Sequence, residues 1–226
     1  MSFDDVPEAV LPASWGTYRQ LKLRREGAVL LVGLDRPAKR NAIGVDLTLE
    51  LERVALATLH DTAVRVLVFH GCGDHFCAGM DMKDFFDHSE RDEATLRRAR
   101  AATDNWRARL LRRLPQVRIA AVDGYCLGGA LPILECADIV LATDRATFGL
   151  PEINFGFVPG GPIAKSALQA LSARGARYAA LTGRPFDAAQ AERWGLVTRV
   201  LPAPELGSET LRLAREIAAN APTRTP

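Results

Sequence analysis

Little in this chain marks it as secreted, membrane-spanning or nucleic-acid-binding. Four cysteines in 226 residues, Cys72, Cys77, Cys126 and Cys136, fall far short of a disulfide scaffold, and a reducing cytoplasmic location is expected. No apolar run approaches the ~20 residues that a membrane helix needs. The first residues, Met1 to Pro7, are acidic and lack an apolar centre, so no signal peptide is expected. Charge of one sign is missing too. The 29 basic and 27 acidic residues leave a net charge of +2, so no whole-chain field invites nucleic acid or an anionic membrane. Internal repeats, low-complexity tracts and linker-like stretches are also absent. With 48% hydrophobic residues, the chain is long enough for one large domain with a well-buried core.

What is present is an alternation of strand-like and helix-like segments, which indicates an α/β fold. After a proline-bearing N-terminal arm (1–16), two strands are expected over 18–24 and 28–34, joined by a turn at Glu26-Gly27. A loop carrying Arg36-Pro37 and Arg40-Asn41-Ala42 leads to a helix with Leu47, Leu51 and Val54 on one face, then to a buried strand over 64–69. One long amphipathic helix is expected over 93–114. Its arginines, Arg97, Arg98, Arg100, Arg107, Arg112 and Arg113, read as a solvated face. Strands follow over 118–122, 138–142, 146–149 and 197–200. Helices are expected over 163–171, 174–181, 188–194 and 204–220.

Two glycine-rich turns carry the chemistry. Val122-Asp123-Gly124-Tyr125-Cys126-Leu127-Gly128-Gly129-Ala130-Leu131-Pro132 leaves a strand and enters a short apolar helix. Glycine lets backbone approach a ligand closely, and the first amides of a helix have no intrahelical acceptor. Ala130-Leu131-Pro132 after the last glycine is not the Lys-Ser or Lys-Thr of a phosphate loop, so an oxyanion is the better ligand; simple tight packing is the rival explanation. The second turn, His75-Phe76-Cys77-Ala78-Gly79-Met80-Asp81-Met82, follows the 64–69 strand and again exposes amides beside small residues. One N–H from each turn, aimed at one carbonyl oxygen, would suit chemistry through an enolate. Cys72-x-x-His75-x-Cys77 has metal-like spacing, but a closed site needs a fourth ligand, and no metal is expected. Asp81, Asp84 and His88 are candidates either for the pocket wall or for helix capping.

In order and spacing, Arg36-Pro37, Arg40-Asn41-Ala42, Phe76-Cys77-Ala78-Gly79-Met80-Asp81, Asp123 to Gly129 and Phe148-Gly149-Leu150-Pro151-Glu152-Ile153 resemble the enoyl-CoA hydratase/isomerase (crotonase) family over residues 17–222. The resemblance implies a crotonase-like spiral of ββα units over 17–200, with a helical C-terminal region (201–226) shorter than the family's. It implies a fatty-acid-type acyl-CoA substrate, with coenzyme A as part of that substrate and no separate cofactor. The backbone amides of Met80 and Gly129 would bind the thioester oxygen. Lys39, Arg40, Ala42 and Ala78 would lie along the CoA nucleotide. A homotrimer or a hexamer is implied as the assembly.

The acid–base residues depart from the family's pattern. Its hydratases use two glutamates, one in the Gly-x-Pro-Glu stretch, here Glu152, and one on the helix behind the glycine turn, where this chain has Pro132. Proline carries no proton to give, although the first turn of a helix tolerates it. Glu135 stands one turn further along, about 4.5 Å by helical rise. With one carboxylate the resemblance favours proton transfer by Glu152, as in the family's single-glutamate isomerases, and a glutamate in an apolar pocket should have a raised pKa. The rivals are a hydratase with a substituted second acid, drawing on Asp81 or Glu135, and a non-catalytic acyl-CoA-binding or assembly subunit. Family members generally continue past Ala219-Asn220-Ala221-Pro222 with helices that close over the acyl pocket. This sequence stops at Pro226, which implies either a missing end or a wetter pocket.

Overall fold

The computed structural model of the chain describes residues 2–86 and 91–220. His88 and the Ala221-Pro222 pair lie outside the described residues. In chain order the strands are β1 (Leu21–Glu26), β2 (Val29–Leu34), β3 (Val66–Gly71), β4 (Val117–Val122), β5 (Tyr125–Leu127), β6 (Ile139–Thr143), β7 (Thr147–Gly149), β8 (Phe186–Asp187) and β9 (Arg199–Leu201). β1 and β2 form an antiparallel hairpin closed at Gly27, whose φ of 55° favours glycine. From β2 onward the main sheet is parallel, in the order β1-β2-β3-β4-β6-β9, and a second sheet of order β5-β7-β8 stands beside it.

The parallel strands are short Val/Leu-rich runs because both faces of the sheet are covered. Alternate residues point to opposite faces. Leu30, Val32, Leu67, Phe69, Ala120 and Val122 join the large core under α1 (Val45–His60), whereas Leu31, Val66, Val68 and Ile119 meet Leu211, Ala214 and Ala218. Those last three belong to the C-terminal helix, which covers the second face. Two short 3-10 turns, Phe3–Asp5 and Ala13–Trp15, precede β1, and this segment seats Val6 and Trp15 in the core.

The remaining helices are α2 (Met82–Phe86), α3 (Glu93–Asn105), α4 (Leu111–Arg113), α5 (Leu131–Cys136), α6 (Gly161–Ala170), α7 (Ala173–Thr182), α8 (Ala188–Arg193) and α9 (Leu206–Asn220). The structure corrects the sequence reading at three places. The single helix expected over 93–114 is interrupted, because a π turn (Trp106–Leu110) separates α3 from α4. Trp106 there is fully buried and donates from Nε1 to Thr48 Oγ1 at 2.8 Å, which anchors the wider turn. The glycine-rich stretch after β4 contains a strand of its own, β5. The two-residue β8 was also unforeseen, since neither is long enough to show a period of two.

β3 and β4 are parallel neighbours, with Phe69 opposite Ala120 and His70 opposite Ala121, so the segments that leave them emerge side by side. Those segments pair briefly. Cys77 N–H donates to Tyr125 O at 2.8 Å and Leu127 N–H to Cys77 O at 3.1 Å. The loop after β2 is fastened to them by Asn41, which is fully buried and left-handed at φ 56°. Its Nδ2 donates to Cys72 O (3.0 Å) and His75 O (2.6 Å), and its Oδ1 accepts from Arg36 N–H (2.8 Å). Asparagine suits both demands, because it tolerates the left-handed region and carries donor and acceptor on one short side chain. Asn41→Ala should therefore lower the unfolding free energy by at least the ~1–3 kcal/mol of a stranded buried group. Asn41→Gly, which relieves only the backbone, should recover a minor part. Urea midpoints at unchanged m check this, and equal midpoints for Asn41→Ala and the parent would contradict it.

Candidate active site

The two glycine-rich turns meet at the C-terminal ends of β3 and β4. A Cβ on Gly79, which has φ 94°, would stand 2.8 Å from Leu127 O and 3.4 Å from Gly129 N. One on Gly129 would stand 2.8 Å from Met80 Cγ and 3.2 Å from Met80 N. The two backbones therefore approach to a distance that excludes side chains. Ile43 N–H donates to Gly79 O (2.7 Å) and Asp81 N–H to Ile43 O (2.9 Å), a parallel bridge in which the N–H of Met80 itself takes no part. The N–H of Gly129 opens the 3-10 turn Gly128–Ala130, ahead of its first intrahelical acceptor. Two donors of neighbouring backbone, placed where no Cβ can intrude, suit an oxygen that gains negative charge during reaction.

Glu152 follows β7 on a 3-10 turn (Pro151–Phe155) and lies against the same backbone. A Cβ on Gly128 would be 2.7 Å from Glu152 Oε1. The residue is 7% exposed, and its Oε2 is buried without a hydrogen-bond partner. Loss of solvation raises its pKa above the ordinary glutamate value, and a hydrogen bond from its own backbone amide offsets only part of that rise. Pro132 is buried in the first turn of α5, where its missing N–H breaks no helical bond. Glu135 is occupied elsewhere. Its Oε1 pairs with Arg112, and its Oε2 accepts from Ser166 Oγ at 3.4 Å.

The loop residues Lys39 and Arg40 are exposed and flank this junction, with Arg40 left-handed at φ 50°. Ala78 N–H donates to Arg40 O at 2.9 Å, so these two loops form one rim. The Arg40 guanidinium lies 5.8 Å from the centre of the Tyr125 ring, and His75 stacks on that ring at 4.5 Å. Ala42 is held by Arg36, which donates to its carbonyl and, at 3.1 Å, to Asp81 Oδ2. Asp81 also accepts from Asp84 N–H, and Asp84 accepts from Val45 N–H at the start of α1. Both aspartates are thus capping and bracing groups in this structure. Among the described residues no three His, Cys, Asp or Glu side chains converge on a metal site.

The sequence reading of Arg107 as part of a solvated face does not hold. The π turn rotates it inward, where it is 5% exposed, and its Nη2 donates to Met80 Sδ beside Gly129. Burial pulls its guanidinium down to about 10, so it remains a cation at neutral pH. Arg112 is also withdrawn from solvent by its pair with Glu135. Asn41, read only as part of the Arg40-Asn41-Ala42 stretch, and Arg107 are the residues whose roles at the junction pattern reasoning misses. The first carries a weak signal, an asparagine inside a charged loop, and the second none, because a π insertion leaves no trace in helical spacing.

The model of the enoyl-CoA hydratase/isomerase family matches residues 24–225. Hydroxycinnamoyl-CoA hydratase-lyase of Pseudomonas fluorescens is 34% identical over 208 residues, which is 92% of this chain and 75% of that protein. Mevalonyl-coenzyme A hydratase of Aspergillus fumigatus is 38% identical over 201 residues, covering 86% and 70%. The crystal structure of an enoyl-CoA hydratase/carnithine racemase from Magnetospirillum magneticum superposes with a TM-score of 0.83 at 28% identity, over 91% of this chain and 77% of that one. With the match spanning strands, turns and C-terminal helix alike, this chain belongs to the enoyl-CoA hydratase/isomerase family and has the crotonase fold.

Proposed function

We propose that the protein holds the thioester oxygen of an enoyl-CoA at the N–H groups of Met80 and Gly129, and that Glu152 moves a proton between two carbons of the enolate so formed. The observation that carries this reading is the buried Glu152 carboxylate against the Gly128 backbone, with Oε2 unpartnered and Pro132 where a second carboxylate would otherwise stand. Glu152 takes a proton from C2 of a 3-enoyl-CoA, and the electron pair passes to the thioester oxygen. The same carboxyl returns the proton at C4, which leaves the double bond between C2 and C3. A raised pKa makes the carboxylate a stronger base for this step. Lys39, Arg40, Ala42 and Ala78 border the nucleotide portion, and the exposed positive charge of Lys39 and Arg40 fits its phosphates.

A second reading, hydration of a 2-enoyl-CoA, is favoured by the hydratase names of the relatives. There Glu152 would have to both orient water and transfer the proton, because Glu135 is engaged by Arg112. Matched assays with 2-enoyl-CoA and 3-enoyl-CoA esters separate the two readings. Assembly as a homotrimer or hexamer is part of the proposal, supported by exposed Phe155, Phe157, Leu168 and Leu181 on and around α6 and α7. Sedimentation as a monomer at micromolar concentration would contradict it.

Glu152→Gln should cut isomerisation by about 10²–10⁴-fold while the affinity for an acyl-CoA changes far less. Gly129→Ala forces a Cβ against Met80 and should lower kcat by about 10²–10³-fold, the worth of one oxyanion donor. Pro132→Glu should raise hydration of a 2-enoyl-CoA above the parent's rate, and an unchanged rate would count against the single-carboxylate account. Glu152 also couples to stability. Its native pKa lies above the unfolded one, so the stability present at low pH is lost as pH rises through the native value. Glu152→Gln should therefore melt higher than the parent at pH 8 and lose that advantage at pH 4. A thermal-midpoint difference that is the same at both pH values would refute the coupling.

A further inference from the structure

Among the described residues, no carboxylate pairs with the charge of Arg107. Among these residues its Nε is buried without a partner, its Nη2 donates to the thioether of Met80, and the ring of Trp106 lies 5.1 Å from its guanidinium carbon. Arg24, Arg36 and Arg112, which are also withdrawn from solvent, are each matched by a carboxylate: Asp4, Asp81 and Glu135 respectively. The nearby carboxylate of Asp104 is on an exposed residue and forms no ion pair with it. A buried cation without a counter-charge destabilises a fold strongly, and a thioether is a weak acceptor. π turns also recur at functional sites, and this one is what brings Arg107 inward. The guanidinium reaches the Met80–Gly129 junction from the helical layer, whereas Arg40 and Ala78 border it from the surface loops.

We propose that Arg107 forms an anion subsite at the acyl end of the pocket, and that the preferred substrate is an acyl-CoA whose acyl chain ends in a carboxylate. The inference rests on the acyl-CoA reading above and narrows its substrate class. On binding, the carboxylate would replace the Met80 sulfur as partner of Nη2 and engage the stranded Nε–H, giving the planar two-point pairing that guanidinium makes with carboxylate. The flexible Met80 side chain can move aside without loss of the Met80 amide.

The test is calorimetric titration of the whole protein with two unreactive saturated acyl-CoA esters of equal length, one ending in a carboxylate and one in a carboxamide. The parent should bind the carboxylate ester at least ~30-fold more tightly. Arg107→Met should bring the ratio of the two affinities close to one, and Arg107→Lys should keep an intermediate ratio. Equal affinities in the parent would overturn the subsite and leave the acyl-CoA reading standing, whereas binding of neither ester would overturn both. Should Arg107→Met not fold, the parent's ratio and that of Arg107→Lys decide. A Lys variant with no preference left still supports a bidentate guanidinium role, and one that matches the parent reduces the subsite to simple charge and overturns the two-point pairing.

Discussion

Where the segments after β3 and β4 meet, a Cβ on Gly79 would come within 2.8 Å of the Leu127 carbonyl, and one on Gly129 within 2.8 Å of Met80 Cγ. That exclusion of side chains is the constraint on which the rest of the structure depends. It requires two strands to be parallel neighbours in register, so that both turns leave the sheet at the same level. It requires the backbone pairing of Cys77 with Tyr125 and Leu127 to hold the turns together, and Asn41 to fix the third loop against them. The donors at the junction are backbone, so their positions are set by the fold and not by the rotamer of any side chain. Variation at position 80 can then alter the side chain beside the junction while the amide stays in place.

Around this junction the distribution of charge is uneven in a way that chemistry explains better than stability does. Asp81, Asp84, Glu135 and Asp46 all accept from arginine or from backbone at helix starts, and they brace the loops. Glu152 and Arg107 are more deeply buried, yet neither has an ionic partner among the described residues. Leaving such groups unpaired weakens the folded state, and sites of reaction and binding are where proteins tolerate this. The carboxylate abuts the Gly128 backbone and the guanidinium approaches through Met80. A substrate lying across the junction would meet a base at one place and a cation at another.

Much of this was legible in the sequence, and for a physical reason. Glycine and other small residues after Val/Leu-rich strands announce close backbone approach, which is how both turns and the sheet they leave are read, whereas Glu152 is singled out only by the resemblance to the family. Proline at position 132 was equally plain, since its ring fits only the first helical turn. The small sheet of β5, β7 and β8 was half hidden because its strands are two or three residues long. Arg107 was misread for a deeper reason. Amphipathic spacing assumes 3.6 residues per turn, and a π insertion shifts every later side chain by a fraction of a turn. Glu135 has no local signature for its engagement either, because its partner Arg112 comes from a separate helix.

The central claim is that one carboxylate carries a proton between two carbons of a thioester held at two backbone amides. Its most direct test is the fate of the C2 proton of a 3-enoyl-CoA in deuterated water, followed by nuclear magnetic resonance. The account predicts that the protein moves this proton to C4 or exchanges it for deuterium, and that Glu152→Gln does neither while still binding the ester. Movement of the proton at the parent rate in Glu152→Gln, or a bound ester whose C2 protons never exchange or migrate in the parent, would contradict it.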